Sequence, residues 1–170
     1  MNIKSKIRTI PDYPIKGIMF RDISTLLSDP QGLNEVMTKL IEIYGKDKYD
    51  FEYIIGIEAR GFIVGAALAY ALNKGFIMIR KPGKLPGKTI SEEYGLEYGT
   101  DTIEMHEDAF PSGSKVLLFD DLLATGGTML GAANLIEKIG GEIIDIAVII
   151  NLPDIGGEAK LKERGYSITS

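Results

Sequence analysis

The chain of 170 residues is 45% apolar and 25% charged, the balance of a folded globular protein, and one domain is expected, able to hide roughly 70% of the unfolded chain's surface. The 24 acidic residues against 19 basic ones leave a net charge of −5, which argues against a general binder of nucleic acid or anionic membrane. The absence of cysteine excludes disulfides, thiolate zinc sites, iron–sulfur clusters and Cys nucleophiles, and the single histidine, His106, excludes a multi-His metal centre.

The first nine residues carry Lys4, Lys6 and Arg8 with no apolar core behind them, so no signal peptide is expected. Ser28-Asp29-Pro30 opens the clearest helix: Asp29 can cap it, Pro30 suits the first turn, and Leu33, Val36, Met37, Leu40, Ile41 and Tyr44 fall on one face. Gly45 ends it. Tyr53–Ile57 reads as a buried strand, and residues 61–72 as a helix apolar almost all round, too short to cross a bilayer. A cytoplasmic protein is expected. Further strands follow at residues 76–79, 116–119 and 143–150, with a helix over about 128–139 closed by Gly140-Gly141. Continuous apolar strands separated by helices indicate an α/β fold around a parallel sheet. Residues 81–99 depart from this pattern, holding Pro82, Gly83, Pro86, Gly87, Gly95 and Gly99 with Lys81, Lys84 and Lys88. A polar loop of that length suggests a lid or binding loop, or else a surface excursion. Thr102-Ile103-Glu104-Met105-His106 alternates as a half-buried strand with His106 on its polar side, so His106 is read as structural. The end, residues 165–170, has the character of an edge strand.

The strongest signal is Val116-Leu117-Leu118-Phe119-Asp120-Asp121-Leu122-Leu123-Ala124-Thr125-Gly126-Gly127-Thr128. Four apolar residues form a strand ending in two carboxylates, followed by a Thr/Gly loop and a helix start, at the carboxyl end where open parallel sheets bind ligands. Gly126 and Gly127 permit close backbone approach, and the unpaired amides of the helix start can point at an anion without a lysine. Two carboxylates repel phosphate oxygens, so they should face donors: ribose hydroxyls or the water shell of Mg²⁺. Phosphate at one end and a diol at the other describe a sugar phosphate. Neither a Gly-Lys-Ser/Thr ending nor G-x-G-x-x-G is present. Helix capping by the Asp pair is the plain alternative, which the adjoining Thr/Gly loop disfavours.

This segment resembles the ribose-phosphate signature of the type I phosphoribosyltransferases. Glu58-Ala59-Arg60-Gly61-Phe62, Arg80-Lys81 with Gly83-Lys84-Leu85-Pro86-Gly87, and Leu96-Glu97-Tyr98-Gly99 resemble, in order, motifs of the adenine-specific branch of that family. Pro11-Asp12-Tyr13-Pro14 with Gly17-Ile18-Met19-Phe20-Arg21-Asp22-Ile23 resembles its base-covering segment. The resemblance implies a single phosphoribosyltransferase domain: a central parallel sheet flanked by helices, an N-terminal hood over about 1–30 and a lid loop over about 81–99. It implies transfer of the 5-phosphoribosyl group from phosphoribosyl pyrophosphate to adenine, giving AMP and pyrophosphate in purine salvage. Mg²⁺ is implied as cofactor, bound mainly through the substrate.

By the same resemblance, Ala124, Thr125, Gly126, Gly127 and Thr128 hold the 5-phosphate, while Asp120 and Asp121 hold the ribose hydroxyls and favour the cationic ring. Arg60 belongs to the pyrophosphate loop and also serves the base. Arg80, Lys81 and Lys84 supply positive charge for pyrophosphate, and relatives can contribute such a residue as Arg80 across a homodimer interface. Glu97 corresponds to the acid/base residue near the purine. Met19 and Phe20 would cover the adenine, with Leu122 on its other face. Arg60 at a helix start opposes the helix dipole; a surface arginine is the plain reading, and a cation placed there against electrostatic preference adds modest support for a ligand. Two alternatives stay open: a phosphoribosyltransferase for another purine base, and a non-catalytic phosphoribosyl pyrophosphate sensor, though no recognition helix or basic face accompanies the core.

Overall fold

Residues 2–96 and 98–170 are described by the computed structural model, and their contacts group into two units that meet in sequence between Lys46 and Asp47. In the first, a short 3₁₀ turn (Ile3–Lys6) leads into an antiparallel hairpin of β1 (Arg8–Pro11) and β2 (Met19–Asp22), with Ile10 opposite Phe20. The connection turns at Asp12, whose carboxylate accepts the Gly17 amide at 2.7 Å, and the Tyr13 and Phe20 rings pack edge to face with centroids 5.1 Å apart. Helices α1 (Ser24–Leu27) and α2 (Pro30–Tyr44) complete this unit. The face expected for α2 is the buried one at Val36, Leu40 and Tyr44, while Ile41 stays outside. Asp29 stands at the N-cap but makes no capping hydrogen bond; Lys6 holds its carboxylate at 2.9 Å. The unit runs on past the expected hood to include α2, which packs against α1 and the first turn.

The second unit is built on β3 (Tyr53–Ile57), α3 (Arg60–Ala71), β4 (Gly75–Ile79), the hairpin β5 (Thr89–Gly95) and β6 (Thr100–His106), β7 (Lys115–Leu123), α4 (Gly127–Lys138), β8 (Glu142–Asn151), α5 (Gly157–Glu163) and β9 (Ile168–Thr169). Five strands form a parallel sheet in the order β4-β3-β7-β8-β9. Its strands are continuous apolar runs because both faces are covered: Ile55, Ile57, Val116, Leu118, Ile146 and Val148 are buried with Met129, Ala132 and Ile136 of α4. The edge strand expected at the end of the chain is β9, paired with β8 at Ile146 and Ala147.

Two expectations need correction. The central strand does not end at the carboxylates: β7 continues through Asp120 and Asp121 to Leu123, because β8 still pairs with it at Asp120, Leu122 and Leu123. Nor is 81–99 one loop. Irregular backbone ends at Lys88, and β5 then pairs with β6 along its whole length. Its polar sequence hid the strand because Glu92 takes a half-buried position and is satisfied from α4, by Asn134 at 3.1 Å and by Lys138 at an ion pair.

Candidate active site

From β3 the chain passes through α3 to β4 on one side, while β7 lies on the other. The carboxyl ends of β3 and β7 therefore border the point where strand order reverses, the place where open α/β sheets bind ligands. Pairing between the two stops at Gly56 opposite Phe119, yet β7 runs on to Leu123. The cleft so opened is bordered by the Glu58–Ala59 turn, whose peptide is cis, and by the start of α3. Helix and strand approach closely here: a Cβ on Gly61 would lie 2.9 Å from a carboxylate oxygen of Asp120 and 3.3 Å from the Phe119 carbonyl.

Arg60, the first residue of α3, sends Nε to within 2.9 Å of the Asp121 carboxylate. Its unfavourable place at a helix start thus has an internal compensation in Asp121, so the position adds little support for a ligand beyond what the cleft itself gives. Asp120 accepts the Asp121 amide at 2.8 Å. Burial, and then the neighbouring Asp121 charge, push the Asp120 carboxyl well above the usual carboxylate range. Burial also raises Asp121, against the lowering pull of Arg60.

Two cavities share this charged wall. One, of about 210 Å³, is bounded by Asp120, Asp121 and Leu122 and by the loop residues Ala124, Thr125, Gly126 and Thr128. The other, of about 170 Å³, reaches Glu58, Lys81 and Tyr94, and the two have Arg60, Asp120, Asp121 and Thr128 in common. Gly126 is the N-cap of α4 with φ of 85°, a left-handed conformation that glycine adopts without penalty, and Gly127 opens the helix. Amides of a first helical turn have no acceptor inside their own helix, so this loop is suited to an anion. The structure thus brings Arg60, Asp120, Asp121, Leu122 and the 124–128 loop together, with Lys81 across from them.

The remaining expected residues are placed differently. Lys81 is held by Asp101 and by Tyr94 Oη at 3.3 Å; burial lowers its pKa, but these two partners outweigh that and leave it raised. Glu58 accepts the Lys81 amide at 2.6 Å and Arg80 Nε at 3.2 Å, and the Arg80 guanidinium lies 5.9 Å from the Phe62 ring. Arg80 therefore lines neither cavity. Lys84 is exposed in the turn after Lys81, where Leu85 is buried and His106 Nε2 meets the Pro86 carbonyl oxygen at 2.7 Å. That contact agrees with a structural His106. Met19 and Phe20 lie on β2 of the first unit, Met19 with half its surface exposed. Glu97 lies outside the described residues. Tyr94 and Asp101 went unrecognised in the sequence, and Glu58 was read only as part of its motif; the alternation Ile90, Glu92, Tyr94 was the available signal for the first.

A model of the phosphoribosyl transferase domain matches residues 22–167. An adenine phosphoribosyltransferase from Prosthecochloris aestuarii (strain DSM 271 / SK 413) is 63% identical over 170 residues, which is 100% of this chain and 96% of that protein. The chain belongs to the adenine phosphoribosyltransferase family. The crystal structure of the adenine phosphoribosyltransferase from Thermoanaerobacter pseudethanolicus superposes with a TM-score of 0.94 at 47% identity, over 99% of this chain and 95% of that one. The Saccharomyces cerevisiae adenine phosphoribosyltransferase, crystallised with an imino-altritol bisphosphate and adenine, superposes at 0.89 with 32% identity over 99% and 95%. The fold is thus that of the type I phosphoribosyltransferases. Among the described residues no helix is long and apolar enough to cross a membrane, and no group of three or more His, Asp or Glu is arranged to hold a metal ion.

Proposed function

We propose that the protein transfers the 5-phosphoribosyl group from phosphoribosyl pyrophosphate to adenine, giving AMP and pyrophosphate. The observation that carries this reading is the juxtaposition, at one strand end, of a loop suited to an anion, the Asp120–Asp121 carboxylate pair and the Arg60 and Lys81 cations. In the reaction the bond from C1 of the ribose to pyrophosphate oxygen breaks, a bond from C1 to N9 of adenine forms, and the N9 proton is released. Positive charge grows on the ribose ring and negative charge on the leaving group, so fixed electrostatics and positioning carry the catalysis. The 124–128 amides take the 5-phosphate. Asp120 and Asp121 accept from the ribose hydroxyls and face the developing cation. Arg60 and Lys81 stand toward the departing pyrophosphate, for which Lys81 must exchange Asp101 for the substrate.

The residues present fit Mg²⁺ arriving with its substrate: two carboxylates next to a cavity suit an ion that keeps most of its waters and phosphate oxygens, and there is no protein cage for it among the described residues. Asp120 and Asp121 would hold it through its water shell. When bound, it neutralises charge on the pyrophosphate. The assignments of Glu97 to the proton of the purine, of Met19, Phe20 and Leu122 to the adenine, and of Arg80 and Lys84 to the pyrophosphate rest on the family resemblance. A homodimer in the cytoplasm is part of the same reading. Its support is the outer face of α3, where Ile63 (53% exposed) and Tyr70 (91%) flank the exposed Ala66 and Ala67 with no charged residue between them.

Purified protein given Mg²⁺, phosphoribosyl pyrophosphate and adenine should form AMP and pyrophosphate in equal amounts. The paired change Asp120→Asn with Asp121→Asn should abolish this while leaving the circular dichroism spectrum intact. Absence of product with the unaltered protein would contradict the reading. Loss of fold in the double variant would make the carboxylates structural instead.

A further inference from the structure

The 124–128 loop does not hold its shape alone. Past β8, the chain turns back along it: the Leu152 amide donates to the Leu123 carbonyl at 3.0 Å and the Gly157 amide to the Ala124 carbonyl at 2.9 Å. Gly157 is buried against the loop, backbone to backbone. A Cβ there would lie 2.4 Å from the Ala124 carbonyl oxygen, 2.8 Å from the Gly126 nitrogen and 2.9 Å from the Thr125 carbonyl carbon. Viewed from the loop, a Cβ on Gly126 would meet the Gly157 Cα at 2.9 Å. All of these are main-chain atoms, which cannot swing aside as a side chain can.

The segment that carries Gly157 is itself anchored. Leu161, one turn on, is fully buried. Asn151 Nδ2 donates to Glu158 at 2.8 Å, Arg164 Nη2 donates to Asn134 of α4 at 3.1 Å, and the Tyr166 hydroxyl bonds Glu137 of the same helix. Helix α5 is therefore braced against α4, whose first turn begins in the loop, and presses its own first residue on the loop from outside.

We infer that Gly157 is a positioning residue for the phosphate loop: the α5 start fixes the curvature that aims the loop amides at the 5-phosphate, and only a residue without a side chain permits the approach. This rests on the proposed binding of phosphoribosyl pyrophosphate. Gly157 touches no substrate. Its neighbour supplies the control, because Gly156 has φ of 103° but nothing within 4 Å of a Cβ built on it. Alanine at 156 is strained in its own backbone and leaves the loop untouched; alanine at 157 has helical backbone and strikes the loop.

The test compares Gly157→Ala with Gly156→Ala, reading thermal midpoint and the KM for each substrate. Gly157→Ala should raise the KM for phosphoribosyl pyrophosphate about tenfold or more, with the KM for adenine within about twofold, since displacing a positioning group by an ångström costs on that scale. Gly156→Ala should lower the midpoint and leave both KM values within about twofold. Equal changes in the two variants, or an unchanged phosphoribosyl pyrophosphate KM in Gly157→Ala, would overturn the inference. Should Gly157→Ala fail to fold, amide exchange in the unaltered protein decides. Phosphoribosyl pyrophosphate with Mg²⁺ should slow exchange of the Gly157 amide, and no slowing contradicts the inference. An unaltered protein that binds no phosphoribosyl pyrophosphate would remove the functional reading, and this one with it.

Discussion

Asp120 and Asp121 are adjacent acids in one strand, Asp120 half-buried and Asp121 buried and paired with Arg60. For a carboxyl raised by burial, stability is full below its unfolded value and falls as pH rises through the folded one, because the native state holds the proton more tightly. Asp120 thus lowers stability at neutral pH in the service of its ligand. Asp120→Asn should melt at or above the unaltered protein's temperature at pH 8, with the difference shrinking toward pH 4, while activity drops by about 100-fold; a midpoint several degrees lower at pH 8 would contradict this. Asp22 shows the opposite sign. Hydrogen bonds from Ser24, then the Arg8 pair, hold its carboxyl down at about 2, so its contribution is complete above 3.8 and lost as pH falls toward 2. Asp22→Asn should therefore destabilise at pH 7 and equal the unaltered protein near pH 2 in a denaturant titration. At this scale the sequence was informative wherever function demands a residue type at a fixed spacing, as in 120–128. It was silent where pairing depends on distant chain, as for Lys81 with Asp101, or on main-chain approach, as at Gly157.

Among the elements, the β5–β6 hairpin departs furthest from its sequence. Its inward positions include a glutamate, and Gly and Pro residues precede it, so its polar, glycine-containing sequence reads as loop despite the alternation. What makes it a strand is α4: Gly131 lets Tyr94 approach until a Cβ there would lie 3.2 Å from it. Gly131→Val should push the hairpin off α4, at about 1–3 kcal/mol, and raise the KM for phosphoribosyl pyrophosphate through the displaced Tyr94 and Lys81. An unchanged denaturation midpoint would show that the contact yields freely. Between Lys81 and Lys88 the backbone is irregular and anchored at Leu85 and His106. If this turn closes over the reacting ribose, Lys84→Ala should lower kcat more than it weakens adenine binding. The strands β3, β4 and β8 and the helices α2, α3 and α4 were legible to within two residues, since long apolar runs and helical periodicity survive any tertiary context. The start of α5 and the β1–β2 hairpin were not, because their residues are mostly polar or exposed.

Across the whole molecule, a net charge of −5 coexists with a site in which the Arg60 and Lys81 cations and the loop amides stand beside the carboxylates of Glu58, Asp120 and Asp121. The uncharged outer face of α3 is where self-association should occur without opposing like charges. Ile63→Arg with Tyr70→Glu should convert a dimer to a monomer in light scattering while leaving the circular dichroism spectrum unchanged; an unaltered mass would exclude α3 from the contact. The central claim is that this fold carries out phosphoribosyl transfer to adenine, and a base panel tests it most directly. Protein, Mg²⁺ and phosphoribosyl pyrophosphate are incubated separately with adenine, hypoxanthine, guanine, xanthine and orotate, and nucleotide formation is followed. AMP from adenine, with no comparable product from the other bases, is the predicted result. Preferential product from another base would contradict the adenine assignment, and no product from any base would contradict the transfer itself.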